Sequence, residues 1–264
     1  MKLNTEKMIA EKEGGIGWIV FNNPERRNAV SLEMWEAVGT IFEEYESDPD
    51  VRVAVMKGAG DKSFVAGADI SQFEERRNNA EAAEEYARIS GAGAAKMAAF
   101  SKPLVAMIRG FCVGGGLATA LRADIRIAAD DAQFGIPAAR LGLAYNIQSL
   151  ANLVSLVGPA VASEILFTAR RYGAEEALRV GLVNRVVPVE KLEAEVRALA
   201  AQIADNAPLT VKTSKATIAE ILKSAPERDT AKIDALFRQC MDSQDYAEGR
   251  RAFMEKRKPV FVGS

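Results

Sequence analysis

Hydrophobic and polar positions alternate in short blocks through the first part of the chain. Apolar runs of the length typical of buried strands lie at residues 16–21, 51–56, 104–108 and 125–128. Between them, apolar residues at helical spacing predict a helix that Ser31 caps and that continues to about Tyr45, and a long Ala-rich helix over residues 79–100. Strands that alternate with helices across short connections predict an α/β fold with a largely buried sheet.

The pattern after Val187 contains helices alone. Amphipathic spacing predicts them over residues 189–205, 208–223, 228–243 and 245–256. We therefore expect two parts, an α/β core over residues 1–188 and a helical C-terminal lobe over residues 189–264. Because the lobe has no predicted strand, we expect it to serve as an arm or a packing surface rather than as a separate domain.

Composition narrows the class of protein. The chain has 264 residues, of which 48% are apolar and 27% are charged, as is typical of a globular protein. Its 34 basic and 36 acidic side chains nearly cancel, so we expect no electrostatic binding of nucleic acid.

The same sequence indicates where the protein works. No apolar run approaches the roughly 18 residues of a membrane span, and the N-terminus lacks the apolar centre of a signal peptide. Cys112 and Cys240 have neither a metal-binding nor a disulfide-framework spacing. We expect no membrane partner and a reducing, cytoplasmic location.

The chain contains no histidine. Histidine is the usual general base at neutral pH and the commonest metal ligand. Its absence excludes Ser-His-Asp hydrolysis, Cys-His proteolysis and the HExxH zinc site. An enzyme of this composition has to move protons with Asp, Glu, Tyr, Lys, Cys or water, and we expect no metal site.

Two glycine-centred turns precede helical segments and carry the candidate chemistry. In "GFCVGGGLATALRAD", Gly114, Gly115 and Gly116 separate an apolar run from a small-residue helix. The spacing is neither GxGxxG nor that of a P-loop, so dinucleotide and P-loop sites are excluded. The other turn, which comes first along the chain, lies in "SFVAGADI" and leads into a helix for which Asp69 and Gln72 fit a capping box.

Such turns suit a ligand that lies against the main chain. Glycine permits close approach, and a helix start offers unpaired N–H donors. One N–H from each turn, directed at a single carbonyl oxygen, would form an oxyanion hole. Tight packing of the helix on the sheet is the alternative explanation of the triplet. The sequence leaves both open, because it does not show whether the turns meet in space.

Four segments occur in an order that resembles the crotonase family, the enoyl-CoA hydratase/isomerase superfamily. They are "SFVAGADISQF", "GFCVGGGLATALRADIRIAADDAQFGIPAARLGL", "GAEEALRVGLVNRVVP" and "FMEKRKPVF". The resemblance runs from about Ile16 to the C-terminus. It implies a crotonase-like spiral of ββα units with a helical C-terminal region, assembled as homotrimers or dimers of trimers. It also implies an acyl-CoA substrate, with no cofactor besides the coenzyme A of that substrate.

The resemblance implies roles for particular residues. By motif position, the backbone N–H groups of Ala68 and Gly115 would hold the enolate oxygen formed from the thioester carbonyl. Further substrate and CoA contacts are implied for Arg26, Arg27, Ala66, Gly67, Asp69, Ile70, Gly114, Pro137 and Lys256. Arg26 and Arg27 would lie near the CoA phosphates, and Lys256 would reach the nucleotide, in the same or a neighbouring subunit. A basic helix end that complements the helix dipole is the alternative explanation of Lys256.

Two acids of the family's hydratases are missing. The hydratases carry glutamate where this chain has Ala118 and Ala138. Hydration of an enoyl thioester needs a base for water and an acid for Cα, which alanine cannot supply. Decarboxylation of a malonyl-type thioester, in contrast, forms an enolate without a base.

Two stretches, "LGLAYNIQSLANL" and "DSQDYAEGRRAFMEKRKPVFVGS", resemble the methylmalonyl-CoA decarboxylase subgroup of the family. This resemblance implies that Tyr145 orients the departing carboxylate or donates a proton, and that Asn146 helps to fix Tyr145. The subgroup has histidine where this chain has Ala68, a difference that affects the particular substrate more than the oxyanion hole. An ordinary core aromatic is the alternative reading of Tyr145.

Three hypotheses follow. The first is a lyase that decarboxylates a small, methylmalonyl-like CoA ester. The second is an enoyl-CoA hydratase or isomerase whose acid comes from elsewhere, for example from Glu84 or Glu85. The third is a non-catalytic protein that binds acyl-CoA and has lost its glutamates.

Overall fold

The computed structural model describes residues 1–69 and 80–264. The strands of that part of the chain are β1 (Met8–Glu13), β2 (Ile16–Phe21), β3 (Val53–Gly58), β4 (Ser63–Val65), β5 (Leu104–Ile108), β6 (Phe111–Val113), β7 (Ile125–Ala129), β8 (Gln133–Gly135), β9 (Tyr172–Gly173) and β10 (Arg185–Val187). Its helices are α1 (Leu32–Ser47), α2 (Ala80–Ala99), α3 (Gly115–Ala120), α4 (Ala138–Leu141), α5 (Ile147–Thr168), α6 (Ala174–Arg179), α7 (Leu192–Ala204), α8 (Pro208–Ile221), α9 (Thr230–Met241) and α10 (Gln244–Glu255).

The larger sheet has six strands in the order β1-β2-β3-β5-β7-β10. β1 pairs antiparallel with β2, and the other neighbours pair in parallel. β2 is buried along its whole length, as its uninterrupted apolar sequence predicts for a strand covered on both faces. β1 is an edge strand whose second half is exposed, which agrees with the charges in its sequence MIAEKE.

Apolar side chains cover both faces of the larger sheet. On one face, α1 contributes Val38, Ile41 and Phe42, which are buried at helical spacing. On the other face, α7 contributes Leu192 and Val196 to a second cluster with the strands. The division expected after residue 188 therefore separates α7 from the sheet, although α7 packs on that sheet.

The short strands form a second sheet in the order β4-β6-β8-β9. β4, β6 and β8 are parallel, and β9 is antiparallel to β8. α3 begins directly after the turn that follows β6 and lies against β4. A Cβ on Gly116 in α3 would overlap the carbonyl oxygen of Val65 and lie 2.9 Å from the Val65 Cβ. Packing of the helix on the sheet therefore requires this one glycine of the triplet.

Most of the elements predicted from periodicity are confirmed. The strands at residues 16–21 and 104–108 have the predicted bounds, and the Oγ of Ser31 accepts a hydrogen bond from the N–H of Met34 at the start of α1. The long Ala-rich helix is α2. The proposed capping box requires Gln72, which lies outside the described residues.

The C-terminal helices α7 to α10 agree with the four predicted ones to within a few residues at each end. α8 and α9 pack against each other. The final residues of the chain return to α10, where the carboxylate of Asp245 accepts hydrogen bonds from the N–H groups of Val262 (2.7 Å) and Gly263 (2.9 Å).

α5 is one helix of the described residues that is long and apolar enough to cross a membrane, judged by length and composition alone. The count of uninterrupted apolar residues did not identify it. The helix is broken at Gly158, which has φ 75° and ψ 166°, and Pro159 follows the break. Each part is shorter than the roughly 20 residues of a membrane span. The expected absence of a membrane partner stays a prediction.

Candidate active site

The first glycine-centred turn is attached to the segment that precedes α1. The N–H of Val30 donates to the carbonyl of Gly67 (2.8 Å), and the N–H of Asp69 donates to the carbonyl of Val30 (3.0 Å). Val30 thus bonds both neighbours of Ala68, and this pattern forms a parallel β-bridge between Val30 and Ala68. Because successive residues of extended backbone face opposite sides, the N–H of Ala68 points away from Val30.

The second turn directs another N–H into the same region. Gly114 precedes α3 with φ 57°, which only glycine adopts readily, and its N–H donates to the carbonyl of Gly135 (2.8 Å). Gly115 is the first residue of α3, so its N–H has no partner within the helix. Conformation explains Gly114 and packing explains Gly116, but neither explains Gly115.

The two turns meet in space. A Cβ placed on Gly115 would lie 3.7 Å from the nitrogen of Ala68, and a Cβ placed on Gly67 would lie 3.7 Å from the nitrogen of Gly115. Neither the Ala68 nor the Gly115 N–H has a hydrogen-bond partner among residues 1–69 and 80–264. Two unpaired N–H groups from converging turns are what an oxyanion hole requires.

Small side chains lie on the elements next to these N–H groups. Ala118 follows Gly115 by one helical turn on α3 and is partly exposed. Pro137 precedes α4, and its Cδ lies 4.0 Å from a Cβ placed on Gly114. The next residue, Ala138, is buried. The positions that carry glutamate in the family's hydratases therefore border the site but offer neither an acid nor a base.

Tyr145 and Asn146 precede α5 but have different environments. Tyr145 is partly buried against the core, and this burial raises the pKa of its hydroxyl, which therefore stays protonated at neutral pH. Asn146 caps α5, because its Oδ1 accepts hydrogen bonds from the N–H (3.0 Å) and the hydroxyl (2.8 Å) of Ser149. The structure thus uses the Asn146 side chain as a helix cap and gives no hydrogen bond from it to Tyr145 within the described part of the chain.

The predicted phosphate contacts Arg26 and Arg27 are both exposed. The guanidinium of Arg27 stacks on Phe111, 5.0 Å from the ring centroid, and that of Arg171 stacks on the same ring at 4.8 Å. The carbonyl of Arg27 accepts the N–H of Ala66 (3.0 Å). Within the described part of the chain, the carbonyl of Ala66 accepts no hydrogen bond, so the carbonyl and not the N–H is left for the predicted contact with CoA.

Lys256 lies at the end of α10, exposed and with φ 53°. Its neighbour Arg257 pairs with Glu248, and Lys258 pairs with Asp205 at 2.6 Å. Lys256 has no ion pair among the residues that the structure describes. Of this basic cluster, it is the side chain left to bind an anion.

Two further predicted contacts lie in the first turn. Asp69 is buried and has a partner of its own, and its N–H belongs to the bridge with Val30. Ile70 lies outside the described residues. Sequence reasoning missed Val30, Gly135 and Arg171, because their contacts with the site join segments far apart in the chain and leave no local signal.

Comparison with known proteins identifies relatives of the whole chain. A family model described as enoyl-CoA hydratase/isomerase matches residues 11–264. A crotonyl-CoA hydratase of Syntrophomonas wolfei is 37% identical over 97% of this chain and 98% of its own length. A short-chain-enoyl-CoA hydratase of Clostridium acetobutylicum is 35% identical over 98% of this chain and 97% of its own. Among solved structures, an enoyl-CoA hydratase/carnithine racemase from Magnetospirillum magneticum has a TM-score of 0.93 and 39% identity, over 99% of this chain and 97% of that chain.

These relatives bear on two of the predictions. The structural match confirms the predicted α/β fold with helices at the C-terminus. The names of the relatives support the alternative of a hydratase or isomerase more than the resemblance to the decarboxylase subgroup.

Proposed function

Since this chain belongs to the enoyl-CoA hydratase/isomerase family, we propose that it binds an acyl-CoA thioester and stabilises its enolate with the backbone N–H groups of Ala68 and Gly115. The observation that carries this proposal is the convergence of two turns whose N–H groups have no partner among the described residues. Both donors are fixed by the fold before the substrate arrives. They therefore stabilise developing negative charge without reorganising.

The side chains around these donors favour a reaction that needs no base. In decarboxylation of a malonyl-type thioester, the bond from Cα to the carboxylate breaks and CO2 leaves. The electron pair moves to the thioester carbonyl, whose oxygen Ala68 and Gly115 would hold. Ala118 and Ala138, where a hydratase needs its acid and base, do not hinder this step.

The enolate then needs a proton at Cα. Tyr145 is our candidate donor, because its hydroxyl is protonated at neutral pH and because it lies in the short connection between α4, which begins at Ala138, and α5. Transfer of the phenolic proton to Cα would leave a tyrosinate. A water molecule would then give a proton to the tyrosinate and leave as hydroxide, which restores Tyr145.

Water addition to an enoyl-CoA is the second candidate, and the names of the relatives favour it. It requires an acid from outside the two alanine positions. Glu85 is a poor source, because hydrogen bonds from Arg88 (2.6 and 2.7 Å) lower the pKa of its carboxyl and keep it ionised. Glu84 lies exposed on the same helix. Binding of acyl-CoA without catalysis is the third candidate.

One panel of substrates separates these candidates. Purified protein is incubated with methylmalonyl-CoA, malonyl-CoA and crotonyl-CoA, and both release of CO2 and loss of the absorbance of the conjugated thioester are followed. Release of CO2 supports decarboxylation, and loss of the absorbance supports hydration. Tight binding of the esters without turnover, and without exchange of the α-proton into D2O, supports the third candidate. If no ester binds, the proposed acyl-CoA site is wrong.

We also propose that the protein forms a homotrimer or a dimer of trimers. Large apolar side chains are exposed on α8 to α10: Ile221, Phe237, Phe253 and Met254. A cleft of about 1270 Å³ lies among these helices. Apolar surface of this extent supports contact with other copies of the chain. Light scattering coupled to size-exclusion chromatography would give the number of subunits.

A further inference from the structure

A cleft of about 550 Å³ lies at the C-terminal end of α3, where the core meets α8. Its volume lies in the range of small-molecule sites, about 300–1,000 Å³. Leu121 and Leu156 line it from the core, and Val211 and Ile218 line it from α8. The cleft thus offers apolar walls from two parts of the fold.

One charged side chain in this cleft has no partner. Arg122 directly follows Leu121, is partly buried, and has no hydrogen bond or ion pair from its guanidinium to any described residue. Burial lowers the pKa of this guanidinium, although an arginine stays charged in proteins. A desolvated cation without a counter-ion is unfavourable, and an anion in the cleft would relieve it.

The other charged groups of the cleft do not neutralise Arg122. Asp124 accepts hydrogen bonds on its Oδ2 from the Nζ of Lys215 (2.8 Å) and from the N–H of Leu104 (2.7 Å), so its charge is paired with that of Lys215. Arg126 is buried and donates to the neutral carbonyls of Ala123 (2.6 Å) and Leu182 (2.8 Å). The lining therefore holds more positive than negative charge.

We propose that this cleft binds a monocarboxylate with an apolar tail, with the carboxylate on the guanidinium of Arg122 and the tail between α5 and α8. A guanidinium presents two parallel N–H groups that match a carboxylate. The apolar walls give an acid with a hydrocarbon chain an advantage over a small inorganic anion.

The cleft is distinct from the proposed oxyanion hole. Gly115 begins α3, and Arg122 lies beyond its other end, so about 9 Å of helix separates them at about 1.5 Å per residue. None of the predicted CoA contacts among the described residues lines the cleft. The proposal therefore does not depend on the proposed function.

Titration calorimetry with decanoate tests the proposal, with decanol as the uncharged probe and saturating CoA present throughout. We expect decanoate to bind, and Arg122→Gln to weaken its binding by about tenfold to a hundredfold, the range for a lost charge-assisted hydrogen bond. Arg122→Lys should keep most of the affinity. Arg179→Gln is the matched control, because Arg179 is exposed and lies on α6 away from the cleft.

The folded state of each variant is checked by circular dichroism and thermal unfolding. Because the guanidinium of Arg122 bonds no described residue, we expect Arg122→Gln to unfold no earlier than the wild type. Absence of decanoate binding would overturn the proposal, as would equal weakening in Arg122→Gln and Arg179→Gln. Equal binding of decanol and decanoate would also overturn it, because the carboxylate would then not be recognised.

Discussion

Replacing Gly115 by alanine adds one methyl group at the point where the two turns meet. The added Cβ would lie 3.7 Å from the nitrogen of Ala68 and 3.8 Å from the Cα and the carbonyl carbon of Gly67. These are ordinary van der Waals distances, so the protein has room for the methyl group. The change therefore acts on the space outside the two N–H groups, which a ligand oxygen would occupy.

The expected effects on stability and on activity have opposite signs. Alanine is favoured over glycine inside a helix by roughly 0.5–1 kcal/mol, so the variant should be as stable as the wild type or slightly more stable. A carbonyl oxygen within about 3 Å of both nitrogens has to share its space with the new methyl group. Loss of one oxyanion donor lowers kcat by about 10²–10³, and we expect a loss of that size.

Two other glycines provide matched controls. A Cβ on Gly91, in α2, would meet none of the described residues within 4 Å, so Gly91→Ala should keep both stability and activity. A Cβ on Gly116 would overlap the carbonyl of Val65, so Gly116→Ala should lower the free energy of unfolding by about 1–3 kcal/mol or more. The three variants separate an added methyl group, a packing clash and a blocked site.

Two quantities are measured for each variant and for the wild type: kcat/KM for the best ester of the substrate panel, and the midpoint of urea unfolding. A Gly115→Ala protein with wild-type stability and wild-type kcat/KM would refute the reasoning, because the N–H groups of the two turns would then not hold the thioester oxygen.

Three other changes test separate parts of the description. Tyr145→Phe should lower kcat for decarboxylation by about 10²-fold or more while KM and the melting temperature stay unchanged, as for a lost general acid, and an unchanged kcat would make Tyr145 a packing residue. The double variant Ala118→Glu, Ala138→Glu should create or raise crotonyl-CoA hydration. It should also be less stable than the wild type, because Ala138 is buried. No gain in hydration would mean that acids at these positions do not reach the substrate. Hydrogen bonds from Arg257 and Arg251 hold the pKa of the Glu248 carboxyl well below its usual range, so Glu248 contributes stability above its ordinary pKa of about 4.3 and loses it as pH falls further. Glu248→Gln should therefore speed proteolysis of residues 256–264 at neutral pH. Lowering the pH should have the same effect on the wild type. Equal cleavage rates of the wild type and Glu248→Gln at neutral pH would contradict this role of Glu248.

Much of the fold could be predicted from periodicity where an element is long and covered. β2 is apolar throughout and buried on both faces, and α1 has both a capping serine and apolar residues at helical spacing. β1 escaped prediction because an edge strand needs few apolar side chains. β4, β6 and β8 have three residues each, too few to establish a period.

Part of the candidate site could also be predicted from the sequence. The glycines identified both turns, because a positive φ and a close approach of the main chain both favour glycine. The resemblance to the decarboxylase subgroup implied that Asn146 helps to fix Tyr145, whereas its side chain caps α5, as is common for a polar residue directly before a helix. The bridge from Val30 to the first turn joins distant segments through main-chain atoms, which no side chain encodes.

The parallel bridge at Val30 has a consequence for how variation at residue 68 should be read. Because the donor belongs to the peptide group, most replacements of Ala68 leave it in place and alter only the lining of the pocket. Proline alone removes the N–H, and the two bonds of Val30 involve the flanking residues and not the nitrogen of residue 68. Among variants with every amino acid at position 68, we therefore expect chemically diverse residues to permit binding of the acyl-CoA, and proline to abolish turnover. A catalytic side chain would give the opposite result, because most replacements would then abolish turnover.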